Sequence, residues 1–147
     1  MEVNDIRKFN RFYTRVLGVF DESVFELNYS LLEMRTLGEI GRNKGITGNS
    51  LSKYLNIDKG YLSRILNKLI KNQLIFKEKN ERDNRVYHLF LTNDGEELNQ
   101  YVEKESDEKV VELLKPLKDD EIQELKRSMA SIESILNQVV ITEQEEK

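Results

Sequence analysis

Between Thr47 and Thr92 two short apolar stripes of helical period are followed at once by two β-prone runs that flank a wholly polar tip. Leu51 and Leu55 lie one helical turn apart and can bury on one face. Asn56-Ile57-Asp58 interrupts that pattern, and Asp58 is a good N-cap because its carboxylate accepts backbone N–H groups from the next turn. The helix it opens carries Leu62, Ile65, Leu66, Leu69 and Ile70, the spacing of one buried stripe. Its opposite face carries Lys59, Tyr61, Ser63, Arg64, Asn67, Lys68 and Lys71. Gly60 costs helix propensity but leaves room for close approach to a partner.

Leu74-Ile75-Phe76 and Val86–Leu91 are the β-prone runs, and Lys77–Arg85 between them holds no apolar side chain. Helix, turn, helix, hairpin is the order of a winged helix-turn-helix, so the expected class is mainly α with a small β-hairpin (α+β). A helix with an apolar back and a basic, hydrogen-bonding front suits a DNA major groove. Arg82 and Arg85 at the tip suit a narrow, electronegative minor groove, with Asp83 expected to hold Arg85 through a bidentate pair. The bland alternatives are an amphipathic surface helix and a β-turn whose charges keep a sheet edge soluble. A polar tip that directly follows a helix-turn-helix favours the wing.

These residues also carry a family resemblance. Leu51 and its neighbours, Leu62-Ser63-Arg64, the D-x-R of Asp83-Asn84-Arg85 and the L-T-x-x-G of Leu91–Gly95 resemble the DNA-binding core of the MarR family of bacterial transcription regulators. The resemblance extends over nearly the whole chain, and D-x-R followed at this distance by L-T-x-x-G is a fairly specific pair. Arg11–Arg15, Tyr29-Ser30-Leu31 and Asp58–Leu66 look like the regulator half of proteins that fuse a MarR module to an acetyltransferase, without that second half. The resemblance implies a homodimer in which the first helix and the last two interleave with those of a second subunit. It implies double-stranded DNA as partner, a repressor at a pseudo-palindromic operator, and a small-molecule effector, phenolic or otherwise anionic. Tyr13, Phe20, Met34 and Arg35 are the expected lining of the effector site, although core packing accounts for all four.

The net charge of −4 argues at first against nucleic acid, but its distribution reverses the argument. Residues 41–91 hold 11 Lys/Arg against 4 Asp/Glu, and the remainder holds 12 against 23. Positive charge is concentrated on the expected helix and wing, and the acidic remainder is expected to face away from phosphates.

The flanks read as packing helices. Ile6, Phe9, Tyr13, Val16, Leu17 and Phe20 form a stripe within a helix from Asn4 to about Glu26. Ser30 with Glu33 is a capping box that opens a core helix running to about Lys44, with Gly45 as its C′ residue. Within that helix Arg35 is expected to pair with Glu39. A long helix from about Glu96 to Leu114 stops at Pro116. Asp119 or Asp120 is expected to cap the last helix, where Ile122, Leu125, Met129, Ile132, Leu136 and Val139 form a heptad seam. The expected organisation is one protomer over 1–147, with a DNA-binding lobe at about 30–92 and dimerisation helices at about 4–26 and 96–140. At 38% hydrophobic and 34% charged residues the core is lean, so burial between subunits would help it.

Other classes find little support. One histidine and no cysteine leave no zinc constellation, disulfide or thiolate chemistry. No phosphate-cradling glycine loop or nucleophile elbow occurs, so neither an enzyme nor a cofactor is expected. No apolar run nears the roughly 20 residues of a membrane span, and the N-terminus lacks a signal peptide's apolar region, so a cytoplasmic location is expected. The runner-up is a dimeric winged-helix protein-interaction module, which would be expected to have lost its basic residues.

Overall fold

A computed structural model of the chain describes residues 1–17 and 28–145. In order, the elements are α1 (Asn4–Leu17), α2 (Leu31–Arg42), β1 (Ile46–Thr47), α3 (Gly48–Leu55), α4 (Lys59–Lys71), β2 (Ile75–Lys79), β3 (Tyr87–Leu91), α5 (Asn93–Leu114) and α6 (Asp119–Glu145). The chain divides into two compact units, residues 1–107 and 108–147, with the boundary inside α5. The fold is the expected one: mainly helical, with a small antiparallel sheet.

The core of the first unit is built from the predicted stripes. Met34, Leu37 and Ile40 of α2 meet Leu51 of α3, Leu62, Ile65 and Leu69 of α4, and Leu74, Ile75 and Leu89 of the wing. Leu66 and Ile70, predicted on the same stripe, are only partly buried. Local chemistry fixes the helix starts. Ser30 and Glu33 form the reciprocal capping box, Thr47 caps α3, and Asp58 caps α4 by accepting from Gly60 N (3.0 Å) and Tyr61 N (3.3 Å). Between α3 and α4, Asn56 adopts the left-handed conformation, and Ser52 donates to Ile57 O at 2.8 Å to close the turn.

Several boundaries differ from the sequence reading. α2 stops at Arg42, and Gly45, at φ +86°, turns the chain into β1 rather than closing the helix. That two-residue strand pairs with β3 (Ile46↔Leu89, Thr47↔His88), making a sheet of order β1-β3-β2. Lys77, Glu78 and Lys79 belong to β2, not to the tip; as an edge strand, β2 tolerates charges that keep its free side solvated. Glu39 pairs with Arg42 rather than Arg35, one turn on, where the guanidinium also reaches Glu103. α6 is not capped by Asp119 or Asp120, which lie inside its first turn. Lys118 precedes the helix, and its backbone N–H donates to Glu121 Oε1 at 3.0 Å. The expected extension of the first helix past Leu17, and Phe20 with it, fall outside the described residues.

The L-T-x-x-G sequence acts at the exit of the wing. Thr92 N donates to Leu74 O (3.0 Å) and Thr92 Oγ1 donates to Gln73 O (2.6 Å), while Gly95 N donates to Thr92 Oγ1 (3.0 Å). The start of α5 is thereby pressed onto the chain leaving α4, where Gln73 sits at φ +61°. A Cβ at Gly95 would stand 1.9 Å from Leu74 O, a contact that only backbone movement relieves. Gly95→Ala should therefore destabilise the fold by about 3 kcal/mol, read as a lower urea midpoint. Native-like stability would remove this contact from the account.

Candidate nucleic-acid interface

Burying Leu62, Ile65 and Leu69 turns the other face of α4 to solvent: Lys59, Tyr61, Ser63, Arg64, Asn67 and Lys71 are exposed. The Arg64 guanidinium lies 5.5 Å from the centre of the Tyr61 ring, so the two side chains hold each other over the first turns. Ser63 and Asn67, one turn apart, open onto a cleft of about 490 Å³ between α4, the start of α3 and the wing. Arg85, Lys77, Tyr87 and Asn49 line the same cleft.

The wing tip is organised by its own side chains. Asp83 Oδ1 accepts from both the backbone N (3.0 Å) and Nε (3.2 Å) of Arg85. One oxygen thus clamps main chain and side chain together, in place of the expected two-oxygen fork. The Arg85 backbone N–H and then its side chain hold the Asp83 carboxyl below its ordinary range. The Arg85 side chain keeps 90% of its exposure, so its outer nitrogens remain available. Arg82 is exposed, with its backbone N–H given to Asn80 Oδ1 at 2.8 Å.

Lys68 is placed differently from its neighbours. Its Nζ lies 2.9 Å from Glu33 Oε2, donates to Asn28 O at 3.2 Å and sits 5.1 Å from the Tyr29 ring centre. Asn72, one turn on, donates to Tyr29 Oη at 3.0 Å. These contacts tie the C-terminal half of α4 to the residues that lead into α2. Helical spacing alone put Lys68 beside Arg64 and Asn67, but Glu33 comes from 35 residues earlier in the chain. Lys77 and Asn49 were missed for a similar reason. Only the strand register shows that Lys77, above the Tyr87 ring at 4.6 Å, shares a sheet face with Leu89 and turns toward α4. The signal available in sequence was the two-residue alternation of Lys77 and Lys79.

Of the expected effector residues, Met34 and Arg35 line a second cleft, of about 480 Å³, between α2 and α5 with Leu31, Arg42 and Val102. Tyr13 stacks on Phe9 of α1 at 5.7 Å and does not line it. Among the described residues no cluster of His, Asp and Glu has metal-site geometry, and no helix is long and apolar enough to cross a membrane.

With this geometry in view, residues 27–85 match the model of the MarR family. Over those residues, which span the helix-turn-helix and enter the wing, the chain is similar to that family. No curated protein matches the sequence. Many solved structures share the fold. FabT of Streptococcus pneumoniae in complex with DNA superposes with a TM-score of 0.76 at 22% identity, covering 94% of this chain and 99% of that one. A putative MarR family transcriptional regulator of Listeria monocytogenes, complexed with a 26mer DNA, gives 0.75 at 24%, covering 95% and 93%. A mutant MarR of E. coli gives 0.77 at 23%, covering 86% and 93%. At such identities the likeness is one of fold, and it reaches beyond the matched segment to the flanking helices.

The tie between α2 and α4 carries a pH dependence. Burial raises the Glu33 carboxyl, but the Ser30 backbone N–H, Lys68 and the Ser30 hydroxyl together outweigh it and leave the group below the ordinary carboxylate value. A depressed folded-state pKa stabilises the fold above the unfolded value, and that contribution is lost as pH falls through the folded one. Glu33→Gln should cost about 1–2 kcal/mol at pH 7, and its stability should fall less than the native protein's as the pH is lowered below 4.5. Parallel pH profiles from denaturant melts would refute the assignment.

Proposed function

We propose that the protein is a dimeric, sequence-specific DNA-binding transcription regulator, a repressor acting at a pseudo-palindromic operator. The observation that carries this reading is the shared cleft: the hydrogen-bonding face of α4 and Arg85 open onto one space, flanked by Lys77. In this reading α4 enters the major groove, where Ser63, Asn67 and Tyr61 meet base edges and sugar-phosphate. Arg64, Lys59 and Lys71 divide between bases and phosphates. Arg85, oriented by Asp83 and accompanied by Arg82, enters the neighbouring minor groove. The sugar-phosphate strand between the two grooves then crosses the cleft, within reach of Lys77. Lys68, already committed to Glu33, contributes to the field more than to a contact.

The terminal helices supply the second subunit's docking surface in this proposal. α1 leaves Ile6, Phe9 and Phe12 exposed, and α6 leaves Ile132, Leu136 and Val139 exposed along its heptad seam. Apolar stripes of that length need a partner. A symmetric dimer then sets two α4 helices about 34–36 Å apart, one turn of duplex. The cleft between α2 and α5, with Arg35 and Arg42 beside apolar Leu31 and Met34, suits a small anionic effector that shifts this spacing. The location that fits is cytoplasmic.

The deciding experiment is a salt titration of binding to duplex from the region upstream of the protein's own gene. The expected result is one dimer per site, outcompeting random duplex, with a steep salt slope. Arg85→Ala should weaken binding about tenfold or more, and Lys77→Ala should lower the salt slope by about 0.9. Weak binding indifferent to sequence, repeated after selection from random DNA, would favour a protein-interaction module instead. Separately, Leu136→Glu should convert a particle of twice 17.4 kDa to one of 17.4 kDa in sedimentation; an unchanged mass would exclude the α6 seam.

A further inference from the structure

One chain of hydrogen bonds connects the body of the lobe to the wing tip through the only histidine in the sequence. His88 Nδ1 lies 2.7 Å from Gly45 O, and its Nε2 lies 2.9 Å from Asn80 Nδ2. Asn80 Oδ1 in turn receives the backbone N–H groups of Arg82 (2.8 Å) and Asp83 (3.2 Å). The two ends of this chain have no freedom of role, since a carbonyl only accepts and a backbone N–H only donates. Gly45 O therefore requires a proton on Nδ1. The two tip amides require Asn80 to present its oxygen to them and its NH₂ to the ring, so Nε2 must be bare. Both constraints select the same neutral form, Nδ1–H. A ring with its proton on Nε2 would face the Asn80 amide donor to donor and leave Gly45 O without this bond.

We propose that His88, held as its Nδ1–H tautomer between Gly45 and Asn80, is a positioning residue for the wing: it fixes the loop on which Asp83 clamps Arg85. The proposal rests on the DNA-binding reading only for its consequence, the aim of Arg85 at a groove. The geometry argues for positioning over simple strand packing. The bonds do not end within the strand pair but cross from the turn after α2 to the loop amides. Asn80 N also donates to Val86 O (2.9 Å) and Val86 N to Asp83 O (3.1 Å), which closes the loop around the residues His88 anchors. Gly45 is a firm base for the chain, because its own N–H donates to Leu89 O at 3.0 Å.

Long-range ¹H–¹⁵N spectra of the full-length ¹⁵N-labelled protein contain a single imidazole. They should show the proton on Nδ1, with a shift toward the Nε2–H form in Asn80→Ala; a native ring protonated on Nε2 overturns the proposal. His88→Asn places an amide N–H where Nδ1 stands, so it keeps the bond to Gly45 while giving Asn80 no acceptor. In that variant amide exchange at Arg82 and Asp83 should accelerate about fivefold while core amides such as Leu37 and Leu69 stay as they were. Unchanged exchange at the tip overturns the proposal. On a duplex bound by the native protein, His88→Asn should lose about as much affinity as Arg85→Ala, and combining them should add little. Full affinity in His88→Asn beside a weakened Arg85→Ala also overturns it. If the native protein binds no duplex while tautomer and tip amides behave as stated, positioning stands and the regulator reading falls.

Discussion

The lobe depends on a place where no side chain fits. Leu74 O receives the Thr92 N–H, and Gly95 lies so close above it that a methyl group would penetrate the carbonyl. Three elements meet there: the end of α4, the exit of the wing and the start of α5. Because the contact is between backbones, it sets the angle of the wing to α4 more tightly than packing between flexible side chains would. The cleft shared by Ser63, Asn67, Lys77 and Arg85 inherits its width from that angle.

Electrostatics then separates cations that look alike in sequence. Arg85 is held by its own loop yet stays nearly fully exposed, so its charge is oriented without being spent. Lys68 is drawn into the capping box of α2, where Glu33 is otherwise burdened by burial. The same carboxylate thus caps one helix and anchors another. This couples the residues before α2 to the back of α4, so a displacement near Asn28 and Tyr29 would be felt there.

The terminal helices follow a different logic. α1 has no buried residue, and the last ten side chains described in α6 are exposed. Stripes of phenylalanine, isoleucine and leucine left in water are costly, and a chain with a lean core gains most from covering them with a second copy.

The sequence by itself determined what local physics determines. The caps at Ser30 and Asp58, the stripe of α4, the stop at Pro116 and the order of elements are short-range effects, governed by spacing within a few residues. The outlying errors were boundaries and partners. β1 was invisible because two residues carry no periodicity and exist as a strand only through pairing with β3. Arg42 displaced Arg35 as the partner of Glu39, since α5 brings Glu103 beside it. The tertiary structure decided which basic residues open onto one cleft, because Lys68 meets a carboxylate distant in sequence and Lys77 turns toward α4 only through the register of β2 with β3. It also decided what the lone histidine does. A strand position gives the side of the sheet, whereas the acceptor at Gly45 and the donor at Asn80 come from opposite ends of the wing's scaffold, and only the folded chain puts them on either side of one ring.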